Sequence, residues 1–337
     1  MSSPSSFTNT FIWSVAHAEA PNVVTSTWID EQLVATFERC GIRPGLLQSV
    51  AGIVERRWWD EDMTFDEAAA LAGAKAIAAA GIDPSEVDML ISTSVCKHHL
   101  EPSVACAVHH RLGLSETCAN FDLGNACLGF VNAMNVASMA IDSGQARVVL
   151  IVDGEGSRQT QQLTIDRLSD PAATIIDVYE NFATLTLGSG AAAMVLGGPR
   201  DGAHRVLGGL TRAATEHHEL CVGDLESMKT DTAGLLKHGL VLAELTFSSA
   251  LAAGWEWNSM DRYVMHQVSS VHTEKFCEMF GLDQRRVPLS FPKFGNIGPA
   301  AVPYTLSTIT SELVAGDRVL LMGIGSGLNC AMTELVW

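Results

Sequence analysis

Apolar and polar positions along the chain fall into two alternating kinds of run. Short, unbroken apolar runs at Val87–Ser92, Val148–Val152, Tyr263–Met265 and Val319–Met322, each bounded by Asp or Gly, predict buried strands. Between them lie longer segments with helical ends. Thr64-Phe-Asp-Glu67 has the spacing of a capping box, opens an alanine-rich run and stops at Gly81. A second helix is expected from about Thr27 to Cys40, before Gly41. A third is expected over Leu128–Ile141, after a short strand at Ala119–Leu123 and before Ser143-Gly144. Strands alternating with helices predict an α/β protein with a largely parallel sheet.

The same patterns recur, in order, in the second half of the chain. Val87-Asp-Met-Leu-Ile91 resembles Asp261-Arg-Tyr-Val-Met265, Val149-Leu-Ile-Val-Asp153 resembles Val319-Leu-Leu-Met-Gly323, and Gly188-Ser-Gly190 returns as Gly325-Ser-Gly327. Three ordered echoes favour a duplicated α/β unit with a pseudo-twofold relation between halves. We divide them at residues 1–200 and 201–337; 337 residues suit one large domain or two fused halves. Residues at equivalent edges of the halves can then converge on one site.

Composition narrows the function. With 47% hydrophobic and 18% charged residues and no low-complexity tract, the chain is expected to fold compactly. A net charge of −17 points away from nucleic acid and from anionic membrane surfaces. It also means that an anionic ligand such as coenzyme A needs a local basic patch. The eight cysteines form no CxxC pair and no regular spacing, so they are expected to be reduced thiols in a cytosolic protein. Met1-Ser-Ser-Pro-Ser-Ser6 lacks the basic and apolar regions of a signal peptide. Apolar stretches such as 182–197 are broken by Gly, Ser and Thr, so no membrane span is expected.

Cys127, in Asp122-Leu-Gly-Asn-Ala-Cys127-Leu-Gly-Phe130, falls between the predicted strand and the start of the third helix. Unpaired N–H groups and the positive dipole end at such a place favour a thiolate, so Cys127 is the candidate nucleophile. Cys40, Cys96, Cys106, Cys118, Cys221, Cys277 and Cys330 are read as structural. His266 ends an apolar strand and by itself suits a core histidine. Asn296, in Phe294-Gly-Asn-Ile-Gly-Pro299, by itself suits a turn. Together a Cys, a His and an Asn supply what acyl transfer needs: a nucleophile, and donors for the oxygen that becomes an enolate or oxyanion. Gly323-Ile-Gly-Ser-Gly327 can bring backbone amides, Ser326 among them, close to Cys127; it has neither a phosphate-loop Lys nor GxGxxG spacing.

Asn125-Ala-Cys127, His266-Gln267, Gly295-Asn-Ile-Gly298 and Gly325-Ser-Gly327, in this order, resemble the thiolase superfamily and its β-ketoacyl-ACP synthase III branch. Within that branch the chain is most similar to OleA-type acyl-CoA condensing enzymes, in Ala126-Cys-Leu, His266-Gln-Val-Ser-Ser-Val-His272, Gly295-Asn-Ile-Gly-Pro-Ala300, Gly323-Ile-Gly-Ser-Gly-Leu-Asn-Cys330 and Leu100-Glu-Pro-Ser103. The resemblance spans essentially the whole chain, from Gly52-Ile-Val-Glu-Arg-Arg57 to the terminal strand. It implies an α/β thiolase fold of five layers, αβαβα, in two similar halves, the first carrying Cys127 and the second His266 and Asn296. It also implies a homodimer in which Glu101 reaches the partner's active site as general base. Such a base suits non-decarboxylative Claisen condensation of two long-chain acyl-CoAs to a 2-alkyl-3-keto acid, in an olefin or β-lactone type of pathway with downstream enzymes. A proton must then leave the carbon beside the thioester, and a desolvated carboxylate suits that task. Without the resemblance, Glu101 reads as a solvated turn residue.

No metal or redox cofactor is expected, coenzyme A thioesters being substrates. The doublets His98-His99, His109-His110 and His217-His218 lack an accompanying i, i+4 ligand pattern with a carboxylate. Trp58-Trp59 suits the core or an acyl tunnel. Arg56, Arg57 and Arg212, then Arg285, Arg286 and Lys293, are the candidates for binding coenzyme A phosphates. Three other readings stay open: a decarboxylating 3-oxoacyl-ACP synthase III fed by malonyl groups, a subunit of a heterodimeric condensing enzyme, and a hydrolase that releases the acyl-cysteine to water.

Overall fold

The computed structural model describes residues 5–337; the first four residues of the serine-rich N-terminus lie outside it. Ten strands form the central sheet: β1 (Ser5–Ser6), β2 (Phe11–Glu19), β3 (Met89–Ser92), β4 (Ala119–Asp122), β5 (Val148–Glu155), β6 (Gly190–Gly197), β7 (His204–Ala213), β8 (Arg262–Met265), β9 (Arg318–Gly325) and β10 (Asn329–Val336). Their order is β8-β9-β10-β7-β2-β6-β5-β3-β4, with β1 beside β7. The helices that matter for the site are α1 (Phe65–Ala80), α2 (Val104–Leu112), α3 (Gly129–Asp142), α4 (Thr232–Ala252), α5 (Ser270–Phe280) and α6 (Ala301–Thr308).

The repeat in the sequence is a repeat of pairings. β5 runs parallel to β3 and antiparallel to β6, which pairs with β2. Likewise β9 runs parallel to β8 and antiparallel to β10, which pairs with β7. The halves meet where β2 touches β7, through Phe11 opposite Arg205 and Ile12 opposite His204. A largely parallel sheet was expected, whereas the observed sheet is mixed and mostly antiparallel. Strands buried on both faces give the same continuous apolar run in either direction, so the pattern carries no directional signal.

Side-chain alternation along these strands builds the layers. Leu150 and Val152 of β5 face α1 and α2, packing with Ala68, Ala69, Ala72, Ala76 and Val108. Val149 and Ile151 face the other way, onto Phe130, Val131 and Met134 of α3 and Val302 and Leu306 of α6. Val319 and Leu321 of β9 reach that same cluster from the second half. Leu320 and Met322 point outward onto Leu242 and Phe247 of α4 and Cys277 of α5. The two halves of the sheet, joined at the β2–β7 contact, thus pack on either side of α3 and α6 and are each backed by outer helices, giving helix, sheet, helix, sheet, helix. One helix, α4, is long and apolar enough to cross a membrane. Its Leu242, Ala243, Phe247 and Ala250 are spent on the outer core instead.

Local signals behave as the chain's chemistry dictates. The Thr64 hydroxyl accepts the Glu67 amide at 3.4 Å and the Glu67 carboxylate accepts the Thr64 amide at 2.9 Å, opening α1, which Gly81 closes in the left-handed region. The helix expected over 27–40 is two, Ser26–Gln32 and Val34–Cys40. They part at Leu33, whose amide is shared by the Ile29 and Asp30 carbonyls while its fully buried side chain seats among Ile29, Phe37 and Leu168.

Candidate active site

Three turns from different parts of the chain meet at the Cys127 turn. Between β4 and α3 the chain makes a tight elbow in which Ala126 holds φ 45°, the one non-glycine residue with positive φ among the described residues. Such a conformation stores roughly 1–3 kcal/mol and persists where neighbours enforce it. The enforcing neighbour is β9. A side chain at Gly325 would meet the Asn125 carbonyl at 2.9 Å and the Leu128 amide at 3.1 Å, so only glycine lets the strand backbone lie against the elbow. The turn after β9, which contains Ser326, is tied to the same elbow because the Asn329 side-chain NH2 donates to Asn125 Oδ1 at 3.2 Å and the Asn125 side-chain NH2 donates to Asn132 Oδ1 at 2.7 Å. The glycine-rich strand end therefore does approach Cys127, as its composition suggested.

His266 follows β8 and is held by its amide to the Met322 carbonyl at 2.8 Å, which sets it beside β9. It is 8% exposed, and its Nδ1 has no partner. Burial first, then the neighbouring His272, push its pKa down to about 4, against an upward pull from the Gly298 backbone. The imidazole is thus neutral at physiological pH, suited to donating a hydrogen bond from one ring nitrogen. Asn296 sits in a turn fixed by its backbone: its amide donates to the Thr186 carbonyl and its carbonyl accepts the Gly188 amide, each at 2.9 Å. Its Oδ1 accepts the Gly298 amide at 3.0 Å, which leaves the side-chain NH2 as the group available to a ligand oxygen.

The thiol itself departs from expectation. A thiolate stabilised by the helix start was predicted, but burial, then Glu155, Cys221 and Asp153, push the Cys127 pKa up to about 12; the opposing pull comes from its own backbone. The helix proper begins at Gly129, and the Leu128 and Gly129 amides are taken by the Asn125 and Ala126 carbonyls. The dipole end is therefore partly quenched where the thiol stands, and two carboxylates oppose it.

Those carboxylates were missed by sequence reasoning. Asp153 and Glu155 end β5 on the row begun by Val149 and Ile151, the face that looks onto α3. They are 0% and 5% exposed. Glu155 accepts the Val95 amide at 2.6 Å, and Asp153 accepts the Thr93 hydroxyl through one oxygen while its other oxygen has no partner. Both carboxyls are pushed upward by burial, Glu155 to about 7. The signal available in the sequence was parity: an alternating Val-Ile-Asp-Glu row on one face of a buried strand.

No hydrogen bond joins Glu101 to the Cys127 elbow among the described residues, where Asn125 bonds Asn132 and Asn329 instead. Glu101 lies exposed in the loop between β3 and α2, beside Leu100, which is 97% exposed. That loop is pinned to the sheet edge because Asp122 of β4 accepts the Val104 and Ala105 amides at 3.1 and 2.9 Å.

Two of the arginines proposed for coenzyme A are structural. Arg56 is fully buried and donates to Ser26 Oγ at 3.0 Å and to the Leu185 carbonyl at 2.8 Å. Arg57 is 8% exposed and is paired with Glu19 and Glu55, each at 2.9 Å. Their place on a short strand (Glu55–Trp58) under the Asn296 turn explains the burial, which a doublet of basic residues does not advertise. Arg56→Met should lower stability by roughly 1–3 kcal/mol for each stranded acceptor, with KM for acyl-CoA unchanged in the folded fraction. Thermal melts together with initial-rate kinetics check both halves of that expectation. Arg285 is paired with Asp283, and Arg286 donates to the Met260 carbonyl. Arg212, half-buried with one guanidinium nitrogen on Ser249 Oγ, and exposed Lys293 beside the Asn296 turn remain as cationic candidates. Trp58 and Trp59 are core residues, donating to Gln161 and to the Glu155 carbonyl. Among the histidine doublets, His98 stacks on Phe65, His109 bonds the Ser115 carbonyl and His217 packs at a tilt against His238. No group of three or more metal-ligating side chains gathers among the described residues.

Comparisons with known proteins bear on the family and the fold. Residues 55–178 match the family model for the thiolase N-terminal domain, and residues 251–337 match that for the C terminal of 3-oxoacyl-[acyl-carrier-protein] synthase III. The chain is 44% identical to an acyl-CoA:acyl-CoA alkyltransferase of Xanthomonas campestris pv. campestris, over 98% of this chain and 99% of that one. It is 34% identical to a protein of the same description from Shewanella oneidensis, again over 98% and 99%. Among solved structures, a cysteine-to-serine variant of Xanthomonas campestris OleA with bound lauric acid and lauroyl-CoA superposes with a TM-score of 0.96, at 43% identity, covering 98% of this chain and all of that one.

Proposed function

The chain belongs to the acyl-CoA:acyl-CoA alkyltransferases, the OleA-type branch of the thiolase superfamily, and from that membership we propose that it joins two long-chain acyl-CoAs head to head. What supports the reading is that the Gly325 strand end lies against the Cys127 elbow, while Gly298 bonds Asn296 Oδ1 and packs on Glu155, itself an electrostatic neighbour of Cys127.

The first acyl group passes from coenzyme A to the Cys127 thiol. The thioester oxygen of a second acyl-CoA is held by the His266 ring and the Asn296 side-chain NH2. Glu101 of a partner subunit removes the proton from the adjacent carbon, and the carbanion attacks the acyl-cysteine, whose oxygen is met by the Cys127 and Ser326 amides. Collapse of that intermediate expels the Cys127 sulfur, and hydrolysis of the remaining coenzyme A thioester by water gives a 2-alkyl-3-keto acid, the feedstock of an olefin or β-lactone type of pathway and its downstream enzymes. The chemistry needs no metal or redox cofactor.

Sheet geometry supports a homodimer. β4 is an edge strand with no neighbour on its outer side, its Phe121 is 36% exposed, and the Glu101 loop is tied to that same edge. A second copy pairing there would carry its Glu101 toward the first copy's site, and a two-fold contact would satisfy both sites at once. We also propose a cytoplasmic location, where eight unpaired cysteines stay reduced. A cleft of about 620 Å³ lined by Leu46, Val50, Phe182, Leu220 and Thr230 opens beside the Cys221–Gly223 hairpin strand and offers an apolar approach for an acyl chain.

Supplying a long-chain acyl-CoA as the sole substrate tests the reading. The expected product is the β-keto acid or the ketone formed from it, without malonyl-CoA. Free fatty acid alone would make the protein a thioesterase, and a requirement for malonate would make it a decarboxylating synthase.

A further inference from the structure

We infer that Glu155, backed by Asp153, is the group that exchanges a proton with Cys127 during acyl transfer, an inference that rests on the acyl-cysteine reading above. The need is set by the thiol. It is buried and protonated, the amides after it are occupied within the elbow, and no cation stands among its principal electrostatic neighbours. A thiol in that state must hand its proton on as it attacks.

Geometry selects the acceptor. Glu155 and Asp153 extend the inward row of β5 to the strand end, and Thr93, whose hydroxyl donates to Asp153, has its carbonyl 3.3 Å from where a Cβ would stand on Gly129, two residues past Cys127. A Cβ at Gly298 would stand 3.6 Å from Glu155 Oε2, so this carboxylate packs against the backbone that also bonds His266. The titratable groups facing Glu155 are Asp153 from its own strand, Cys96 from the loop after β3 and Cys127 from the elbow. The Gly298–Ala300 turn and β6 contribute none. Neither carboxylate forms an ion pair among the described residues, and the unpartnered Asp153 oxygen is what a proton shared within the pair would satisfy. Burial raises both groups, Asp153 well above the carboxylate range and Glu155 to about 7, so the pair keeps one proton at neutral pH and Glu155 is the member free to accept another. His266, pushed down to about 4, is the weaker base.

The step balances without another reactant. As Cys127 Sγ bonds to the thioester carbon and the carbonyl pair moves onto oxygen, the thiol proton passes to the Glu155 carboxylate. Collapse of the tetrahedral oxyanion re-forms the carbonyl and breaks the bond to the coenzyme A sulfur. That sulfur leaves with its electron pair and takes the proton back from Glu155.

The test is the pre-steady-state burst of coenzyme A release, measured from acid to mildly alkaline pH. In the wild type the burst rate should rise with pH through an inflection near 7, as Glu155 loses its proton, and then level off. Glu155→Gln keeps an oxygen for the Val95 amide, and so the anchor of the Glu101 loop, but cannot take a proton. It should lose the inflection and fall by about 10²-fold at the plateau. Asp153→Ala should retain the burst and move the inflection to higher pH, because the protonated Asp153 that donates to Glu155, and so draws its pKa down, is gone. An unchanged inflection in Glu155→Gln overturns the inference, as does a wild-type burst without one. Should Glu155→Gln not fold, an inflection that Asp153→Ala leaves in place overturns it equally. A burst that survives in Cys127→Ala would instead sink the acyl-cysteine reading, so the two failures are separable.

Discussion

Replacing Cys127 with alanine is expected to lower coenzyme A release from a long-chain acyl-CoA by roughly 10⁴-fold or more, the scale seen when a covalent nucleophile is removed from an otherwise intact site. The fold should tolerate the change. Cys127 lies outside the apolar clusters that hold the layers together, and the elbow is fixed by Gly325, by Asn125 bonded to Asn329 and Asn132, and by the start of α3, none of which needs the sulfur. Unchanged melting with lost turnover is therefore the outcome expected. Mass spectrometry gives the complementary observation: wild-type protein mixed with acyl-CoA carries the acyl mass on the peptide containing Cys127, and the alanine variant does not. Residual coenzyme A release at the wild-type rate would mean that water or another group attacks the thioester, and the assignment of the elbow would be lost.

Glu101→Ala should separate the two halves of the reaction. Condensation should fall by about 10²- to 10⁴-fold, the range for removal of a general base, while the coenzyme A burst stays near the wild-type rate. The acyl-enzyme should then accumulate. A decarboxylating synthase would respond differently, because loss of CO2 supplies its carbanion and no carboxylate is required. The position of Glu101 on an exposed loop at the sheet edge gives a sharper version of the experiment. Glu101→Ala and Cys127→Ala proteins, each inactive in condensation, should regain activity when their subunits are mixed. Each mixed dimer holds one intact Cys127 facing one intact Glu101, so random exchange in a two-fold dimer returns about a quarter of wild-type activity. No recovery on mixing, with exchange verified, would place Glu101 in its own subunit's chemistry or outside chemistry altogether.

Much of this site was legible in the sequence because its parts sit at places where local patterns change. Cys127, His266 and Asn296 each stand where an apolar run meets a glycine-bearing turn, and the ordered echo between halves already implied that such places converge. The capping box at Thr64 and the glycine strand end at Gly323–Gly327 were readable for the same reason: they are local rules. What escaped depends on depth. Arg56 and Arg57 read as a basic patch for coenzyme A, but the folding of a short strand under the Asn296 turn buries them. Asp153 was read as the end of a strand, which it nearly is, while the row it shares with Glu155 faces the most enclosed layer of the protein. The thiol's rise followed from the same blind spot, since a helix start next to two buried carboxylates is a different environment from a helix start in solvent. Strand direction was lost because burial on both faces erases it.

The shared middle layer also governs how the protein must be made. Phe130, Val131 and Met134 of α3 are buried in part by Val319 and Leu321 of β9. Synthesis proceeds from the N-terminus, so α3 leaves the ribosome long before the strand that covers it. Throughout that interval the nascent first half presents a bare apolar helix face together with its most reactive cysteine turn, unsupported by Gly325. Transient exposure of this kind is what holding chaperones guard and what drives aggregation of truncated chains. Cys127 thus becomes a working nucleophile only when the last strands of the polypeptide close over it, and an incomplete chain carries the residue without the machinery.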